Sequence, residues 1–510
     1  MLRIDAAPTI SRVRLQVAEL RVEQLWQLAA LTMSFIFALG VVGFTADTWW
    51  ALEMGRLAVL AGRPVETVLG HAPALPEAAN GQWLAQAVLY LMYSGSGERA
   101  VWVVSGCLIA ASLGLVMVAA RVGGAGPRAA ALGVLLSGAL AAQNMAVRTQ
   151  LFGYLLFATT YLLLQLRRSH PRLLYLLPPI FALWANLHGS FALGLLLLGL
   201  YTAAETLEAA VAWGKSGAAN RSAAGRLALV AAAALAATCL NPLGPGAYTY
   251  LLAALSHPTN REMGREWQPT TVRDLSGQIL ALSIPLTFVA LHASRRRIAA
   301  IEVLLLLAFG YLALASLRYV VWTGMVLAPI LARHAAGVSL PARLTGRLAN
   351  PHRQTGARAH LNLAIAGLLV ALAAAAPWWV PARIGHLRGA EAALAHAPVE
   401  AADFLATLPA EARLYNYQPW SGYLAWRLWP AQQPMVDVRF EAHPPSVWED
   451  YMAIHLARAD WESIVVRYGM DYLVLEPRAQ NHLVEAAEGT GRWTRLYEDQ
   501  TAVVLARRPS

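Results

Sequence analysis

The stretch Gly43-Phe44-Thr45-Ala46-Asp47-Thr48-Trp49-Trp50-Ala51-Leu52-Glu53-Met54-Gly55-Arg56 decides how this chain is read. It follows an apolar run of about 20 residues, long enough to cross a bilayer. An acid stands a few residues beyond that run. Two tryptophans come next, and an amphipathic segment leads on to Gly62-Arg63-Pro64. Tryptophan favours the membrane–water interface, so Trp49 and Trp50 are expected to fix Asp47 near the bilayer surface. A carboxylate held there would meet the head group of a lipid-linked substrate. The plainer reading is a solvated acid at a span boundary.

The composition places this stretch in a polytopic membrane protein with a soluble part. The 510 residues are 57% hydrophobic and 14% charged, against about 25% charged in soluble domains. The net charge of +10 does not make a nucleic-acid surface. Lys215 is the only lysine, and many of the arginines fall in short clusters between apolar runs, the positive-inside pattern. Cys107 and Cys239 lie in apolar segments, so neither a disulfide framework nor a Cys-based metal site is implied. The basic lead before the first run superficially resembles a signal peptide, but with many runs following it is read as a retained first span.

Arg3, Arg12, Arg14 and Arg21 put the N-terminus in the cytoplasm. About eleven candidate spans of roughly 20 residues follow, and a polytopic region of residues 1–380 results. Its outside loops include 44–82 and the long 242–277. Its inside loops carry Arg121 and Arg128, then Arg167, Arg168 and Arg172, then Lys215, Arg221 and Arg226, then Arg295–Arg297, and the basic stretch Arg333–Arg358. Pro377-Trp378-Trp379 marks the last exit. No internal repeat is evident, which argues against a carrier built from inverted halves. Residues 381–510 read as a soluble α/β domain outside the membrane. Strands are expected at Arg413–Tyr417, Pro434–Phe440, Asp471–Leu475, Trp493–Tyr497 and Thr501–Ala506. Helices are expected at Trp420–Trp429, Ser446–Gly469 and Asn481–Glu488.

The outside face collects the unusual polar residues: Asp47, Glu53, Arg148, Gln150, Asn186, His188, Asn241, Glu262, Arg265, Glu266, Arg318 and Tyr319. Ionisable groups at span ends are costly unless they face a cavity or one another. Arg148 and Arg318 stand against the positive-inside pattern; each either snorkels or holds a phosphate with its planar fork. His188 either binds substrate or bonds a helix end. Glu262 and Glu266, four apart, share a helix face and hold a metal or substrate, or form a solvated turn. Asp437 and Arg439 follow an aromatic turn, Asn416–Arg427, that either faces the membrane region or packs the sheet around a structural pair. The absence of a Gly-rich phosphate loop, His-Glu-x-x-His or a Ser/His/Asp pattern leaves ATP-driven chemistry unsupported.

Together these parts resemble the GT-C superfamily of membrane glycosyltransferases, and the soluble part resembles its uncharacterised bacterial branch. The resemblance rests on the cytoplasmic N-terminus, Ala46-Asp47-Thr48-Trp49-Trp50, the amphipathic first loop, the many spans and the outside domain with Val436–Arg439 and Asp471-Tyr472-Leu473-Val474. It implies transfer of a sugar from a polyprenyl-phosphate-linked donor to a glycan, lipid or protein acceptor on the outer face of a bacterial inner membrane. It makes Asp47 alone the base; the charge growing on a departing phosphate points in addition to Arg148, Arg265 or Arg318 as clamp, and position makes His188 and Glu266 the substrate candidates. Many relatives carry paired acids in the first loop and a divalent cation, Mg or Mn. Here Ala46-Asp47-Thr48 gives one acid, with Glu53 six residues on, a departure from the pattern that counts against metal dependence; Asp47, Glu53 and Glu262 are the candidates for a metal if one binds. The competing readings are a non-catalytic protein of the same fold that binds a lipid or a partner, and a lipid-linked glycan transporter. The span centres are nearly free of the charges a transporter would need.

Overall fold

The computed structural model describes residues 20–76, 79–211, 214–338, 356–388 and 397–508. Arg3, Arg12 and Arg14, and the part of the basic stretch at 339–355, lie outside the described residues. Each apolar segment of the sequence is helical. The helices in chain order are α1 (Val22–Val41), α2 (Ala46–Ala61), α3 (Trp83–Val122), α4 (Pro127–Ala141), α5 (Gln150–Gln165), α6 (Leu177–Leu187) and α7 (Phe191–Val211). Next come α8 (Gly214–Ala237), α9 (Gly246–Ser256), α10 (Pro258–Met263), α11 (Leu275–Ala293), α12 (Ala300–Ala315), α13 (Val320–Ala335) and α14 (Gly356–Arg388). Among the described residues, five helices are long and apolar enough to cross a membrane: α1, α3, α7, α11 and the segment Ala359–Val380 of α14. Side chains such as Leu282, Phe288, Leu307, Tyr311 and Leu368 stay exposed along α11, α12 and α14, the outward apolar face that a bilayer would cover. The run at 83–93 is not a separate helix. It continues into the second apolar run as α3, kinked at Gly97, whose φ of 72° only glycine takes readily.

The C-terminal part is a five-stranded sheet with helices α15 (Val399–Leu405), α16 (Ser421–Leu428), α17 (Pro445–His455), α18 (Trp461–Arg467) and α19 (Pro477–Gly489). Its strands are β1 (Arg413–Asn416), β2 (Gln433–Pro434), β3 (Tyr472–Leu475), β4 (Trp493–Glu498) and β5 (Val503–Arg507), in the order β2-β1-β3-β5-β4. β1 pairs in parallel with β2 and β3, and β5 is antiparallel to β3 and β4. Tyr415, Leu473, Leu475, Val503 and Leu505 are buried under α17, α18 and α19.

Two expectations for this part need correction. The strand at Pro434–Phe440 is only two residues long. Beyond it the backbone turns to the first loop: the amides of His71 and Ala72 donate to the carbonyls of Pro434 and Met435, both at 3.0 Å. The helix at Ser446–Gly469 is two helices, because the chain turns at Ala457, where φ is 46°.

The largest correction concerns the tryptophans. Trp49 and Trp50 are 3% and 4% exposed and do not sit at a lipid interface. Trp49 packs against Phe44, Tyr93, Tyr423 and Trp426, with ring centroids 5.2–6.3 Å apart. Such aromatic pairs add about 0.5–1.5 kcal/mol each beyond area burial. The Trp50 indole N–H donates to Asp437 Oδ2 at 3.2 Å, and the Arg439 guanidinium lies 4.8 Å over its ring. The C-terminal part, not the bilayer, therefore takes these rings. The backbones of α2 and α16 almost touch at Gly422, where an added Cβ would lie 2.0 Å from the Ala46 carbonyl oxygen.

Gly422→Ala should therefore lower the thermal midpoint of the purified protein, with an overpacking cost of about 1–3 kcal/mol. Gly310→Ala, where a Cβ meets nothing within 4 Å, should leave the midpoint in place. Differential scanning fluorimetry in one detergent compares the two.

Candidate active site

Asp47 occupies the first turn of α2, and two backbone stitches bring it to its partner. The Val147 amide donates to the Gly43 carbonyl at 3.0 Å, and the Thr48 hydroxyl donates to the Val147 carbonyl at 2.6 Å. These tie the entrance of α2 to the segment before α5. Arg148 Nε then stands 2.9 Å from Asp47 Oδ2, off the line of a hydrogen bond. Arg148 Nη1 donates to Glu266 Oε2 at 2.7 Å. Arg318 Nη2 lies 4.0 Å from Glu266 Oε1, and its guanidinium is stacked 3.8 Å from the centroid of Trp267. A backbone brace holds the two short turns that carry Glu266 and Arg318: the Ser316 hydroxyl donates to the Glu266 carbonyl at 2.8 Å.

The chain thus gathers Asp47, Arg148, Glu266 and Arg318, which lie far apart in sequence. Their side chains are 22–41% accessible, yet protein surrounds Asp47, Arg148 and Glu266 deeply enough to move their proton affinities. That combination describes a recess. Burial raises the Asp47 carboxyl above its ordinary value; Arg148 opposes the rise, and Glu266, Glu441 and Asp437 add to it. Burial would also raise Glu266, but Arg148 and Arg318 outweigh it and pull that carboxyl down to about 2. Burial works against the Arg148 charge too, and Asp47 and Glu266 more than offset it. The buried Nη1 of Arg318 has no hydrogen-bond partner among the described residues. It is a charged donor with capacity left for an anionic oxygen.

His188 closes the α6 end and lies within electrostatic reach of Arg318, Glu266 and Arg148. Its Nδ1 accepts from the Ser190 amide at 3.0 Å, which leaves the ring proton on Nε2. Burial first, then Arg318, lowers its pKa to about 3, so it is neutral at pH 7. Asn186, also on this face, is structural: it accepts from the Trp83 indole and donates to the carbonyls of Ala182 and Leu240, all at 2.8 Å.

Three other candidates lie elsewhere. Arg265 is 79% exposed and donates to Asp274 at 2.8 Å, so it is not in the clamp. Glu53 is fully buried against Arg56 at 2.5 Å, because α2 turns it away from Asp47. Glu262 is exposed on α10. Among the described residues no three His, Cys, Asp or Glu side chains gather as a metal site, and guanidinium groups already neutralise Asp47 and Glu266. This donor set does not fit a resident divalent cation. Two residues that sequence reading passed over adjoin the cluster. Glu441 lies within the field of Asp47, and Tyr250 donates to Glu441 at 3.1 Å. The only sequence signal for Glu441 was its place just beyond Arg439.

The His188 shift has a sign that can be tested. The unfolded ring takes a proton near 6.5, whereas the folded ring resists until about 3. Its contribution to stability is full above pH 6.5 and erodes as pH falls toward 3. The Glu266 contribution is lost lower, as pH falls from 4.5 to about 2. The thermal midpoint should thus decline between pH 6.5 and 5, and His188→Asn should flatten that decline; equal slopes in both proteins would refute the assignment.

No protein-family model and no curated protein matches the chain. Solved structures do. The archaeal oligosaccharyltransferase AglB from Archaeoglobus fulgidus, in complex with an inhibitory peptide and a dolichol-phosphate, superposes with a TM-score of 0.56 at 11% identity. That match covers 95% of this chain and 74% of AglB. ArnT from Cupriavidus metallidurans, bound to undecaprenyl phosphate, gives 0.51 at 17% identity and covers 99% of each chain. Its apo state gives 0.51 at 17% identity and covers 94% of this chain and 97% of ArnT. AglB and ArnT are GT-C superfamily membrane glycosyltransferases, and at these identities the likeness is one of fold: this chain has the GT-C fold.

Proposed function

We propose that the protein is a membrane glycosyltransferase that moves a sugar from a polyprenyl-phosphate-linked donor to an acceptor hydroxyl, with Asp47 as base. The observation that carries this reading is the meeting of Asp47, Arg148, Glu266, Arg318 and His188 at one recess. The proposed membrane is the bacterial inner membrane, crossed about eleven times by spans of about 20 residues. The N-terminus faces the cytoplasm, and the recess and residues 381–510 face outward. The lipid carriers named in the AglB and ArnT structures support a donor of that class.

The chemistry follows from the charges. Transfer breaks the bond between the sugar's anomeric carbon and the phosphate oxygen. It forms a bond to the acceptor oxygen, whose proton goes to Asp47. A carboxyl raised by burial is a stronger base than a solvated one, and its tie to Arg148 opposes that rise. The phosphate leaves with growing negative charge. Arg318 Nη1 is free to meet it, and Arg148 stands beside it. Neutral His188 would supply a hydrogen bond through Nε2 without adding charge.

A second reading, a non-catalytic protein that binds the lipid phosphate, is favoured by one observation: Asp47 already has an arginine partner. Turnover separates the two. Labelled-sugar transfer by the purified protein should fall about 10²–10⁴-fold in Asp47→Asn and about 10²–10³-fold in Arg318→Gln. Donor binding should survive in Asp47→Asn and weaken in Arg318→Gln. Unchanged turnover in Asp47→Asn would remove it from the mechanism. The acid limb of wild-type kcat/KM should lie above 3.8, the ordinary value for aspartate, and move higher still in Arg148→Gln.

A further inference from the structure

At the other end of α5 from Arg148 lies a second basic hollow that the transfer reading does not use. Arg167 and Arg168 follow α5, whose 16 residues span roughly 24 Å at 1.5 Å per residue. With Glu205, Asn220, Ser222 and Arg226 they line a cavity of about 410 Å³. Glu205, 2% exposed, takes both Arg167 Nε at 2.6 Å and Arg168 Nη2 at 3.0 Å. Arg167 is also held 4.8 Å over the Tyr201 ring. These two guanidinium groups are therefore fixed by the fold.

The lining carries three guanidinium groups against one carboxylate. Counting Glu208, which also pairs with Arg168, one positive charge is still unmatched. Arg226 forms no ion pair among the described residues. The same two helices, α7 and α8, form an apolar groove of about 670 Å³ lined by Gly199, Thr206, Leu207, Ala228 and Ala231. Leu207 and Leu229 stand 54% and 67% exposed on this pair. A basic cavity beside an apolar groove suits a phosphate joined to acyl chains better than a free anion.

We infer that the cavity between the end of α5 and the α7–α8 pair binds the phosphate head group of an anionic membrane lipid, with the acyl chains on the apolar face of α7 and α8. This lipid lies in the leaflet opposite the recess of Asp47, so it is not the donor of the transfer. It stabilises the protein by neutralising the surplus charge.

Native mass spectrometry of the full-length protein tests this. The protein, in a zwitterionic detergent, is titrated with phosphatidylglycerol or with phosphatidylcholine of the same acyl chains. Phosphatidylglycerol should bind preferentially, and Arg226→Gln should weaken it about fivefold, the effect of one charge near the surface. Ser222→Glu, which places an acid at the cavity lip, should weaken it at least as much. Thermal melting checks that both variants remain folded. Equal binding of the two lipids, or undiminished binding in both folded variants, overturns the site. Displacement of the lipid by millimolar inorganic phosphate overturns the lipid as ligand.

Discussion

The buried Asp437–Arg439 pair holds the first loop to the C-terminal sheet, and the placement of Asp47 depends on it. The contact is 2.9 Å, with both side chains nearly inaccessible. Such a pair is tolerable in an apolar interior only if its remaining polar atoms are satisfied. Here the first loop satisfies them. Asp437 Oδ2 accepts from the Trp50 indole and the Leu69 amide, and Arg439 donates to the carbonyls of Thr67 and Ala79, both at 3.0 Å. Neither charge is fully bonded within the C-terminal part alone. Removing either partner would leave the other buried and unpaired, a loss of about 3–5 kcal/mol in comparable cases.

This lock acts at short range on the candidate site. Trp50 lies one helical turn beyond Asp47, so fixing its indole fixes the rotation of α2 and aims Asp47 at Arg148. The Thr48–Val147 and Val147–Gly43 bonds do the same from the helical side. Asp47 is thus held by the C-terminal part, the first loop and the segment before α5 together. A carboxylate fixed in this way does not reorient when charge develops nearby, and that preorganisation is the main source of electrostatic catalysis.

Much of the architecture was legible in the sequence because its signals are strong. Apolar runs of membrane length gave helices, and five of the observed helices meet the length and hydropathy of a span. The short strands were read from β-branched and aromatic residues bounded by turn residues. Where the reading failed, a contact distant in sequence had overruled a local preference. Trp49 and Trp50 have interface character, but residues far along the chain cover them: Tyr423 and Trp426 pack on Trp49, and Asp437 and Arg439 hold Trp50. The strand beyond Pro434 is lost because the first loop takes its carbonyls. Glu53 and Arg265 resembled site residues by position, and a local partner withdraws each from the recess: Arg56 three residues on, Asp274 nine residues on. Arg148 and Arg318 were visible because they broke the charge asymmetry of the loops. Their convergence on Glu266 was not, since it depends on how the helices pack.

Glu266 gives the recess its character. Arg148 and Arg318 would repel one another if they faced the same recess alone, and the Glu266 carboxylate between them removes that penalty. It also keeps them desolvated and aligned, with Trp267 holding Arg318 flat. With Asp47, the four charges sum to zero, so the cluster carries no net charge of its own. An incoming phosphate would meet two donors that have no hydrogen-bond partner among the described residues, Arg318 Nη1 and Arg148 Nε, and must otherwise share Arg148 and Arg318 with Glu266. Such a site favours anions that can reach both guanidinium groups at once. It also holds them less tightly than two unpaired guanidinium groups would.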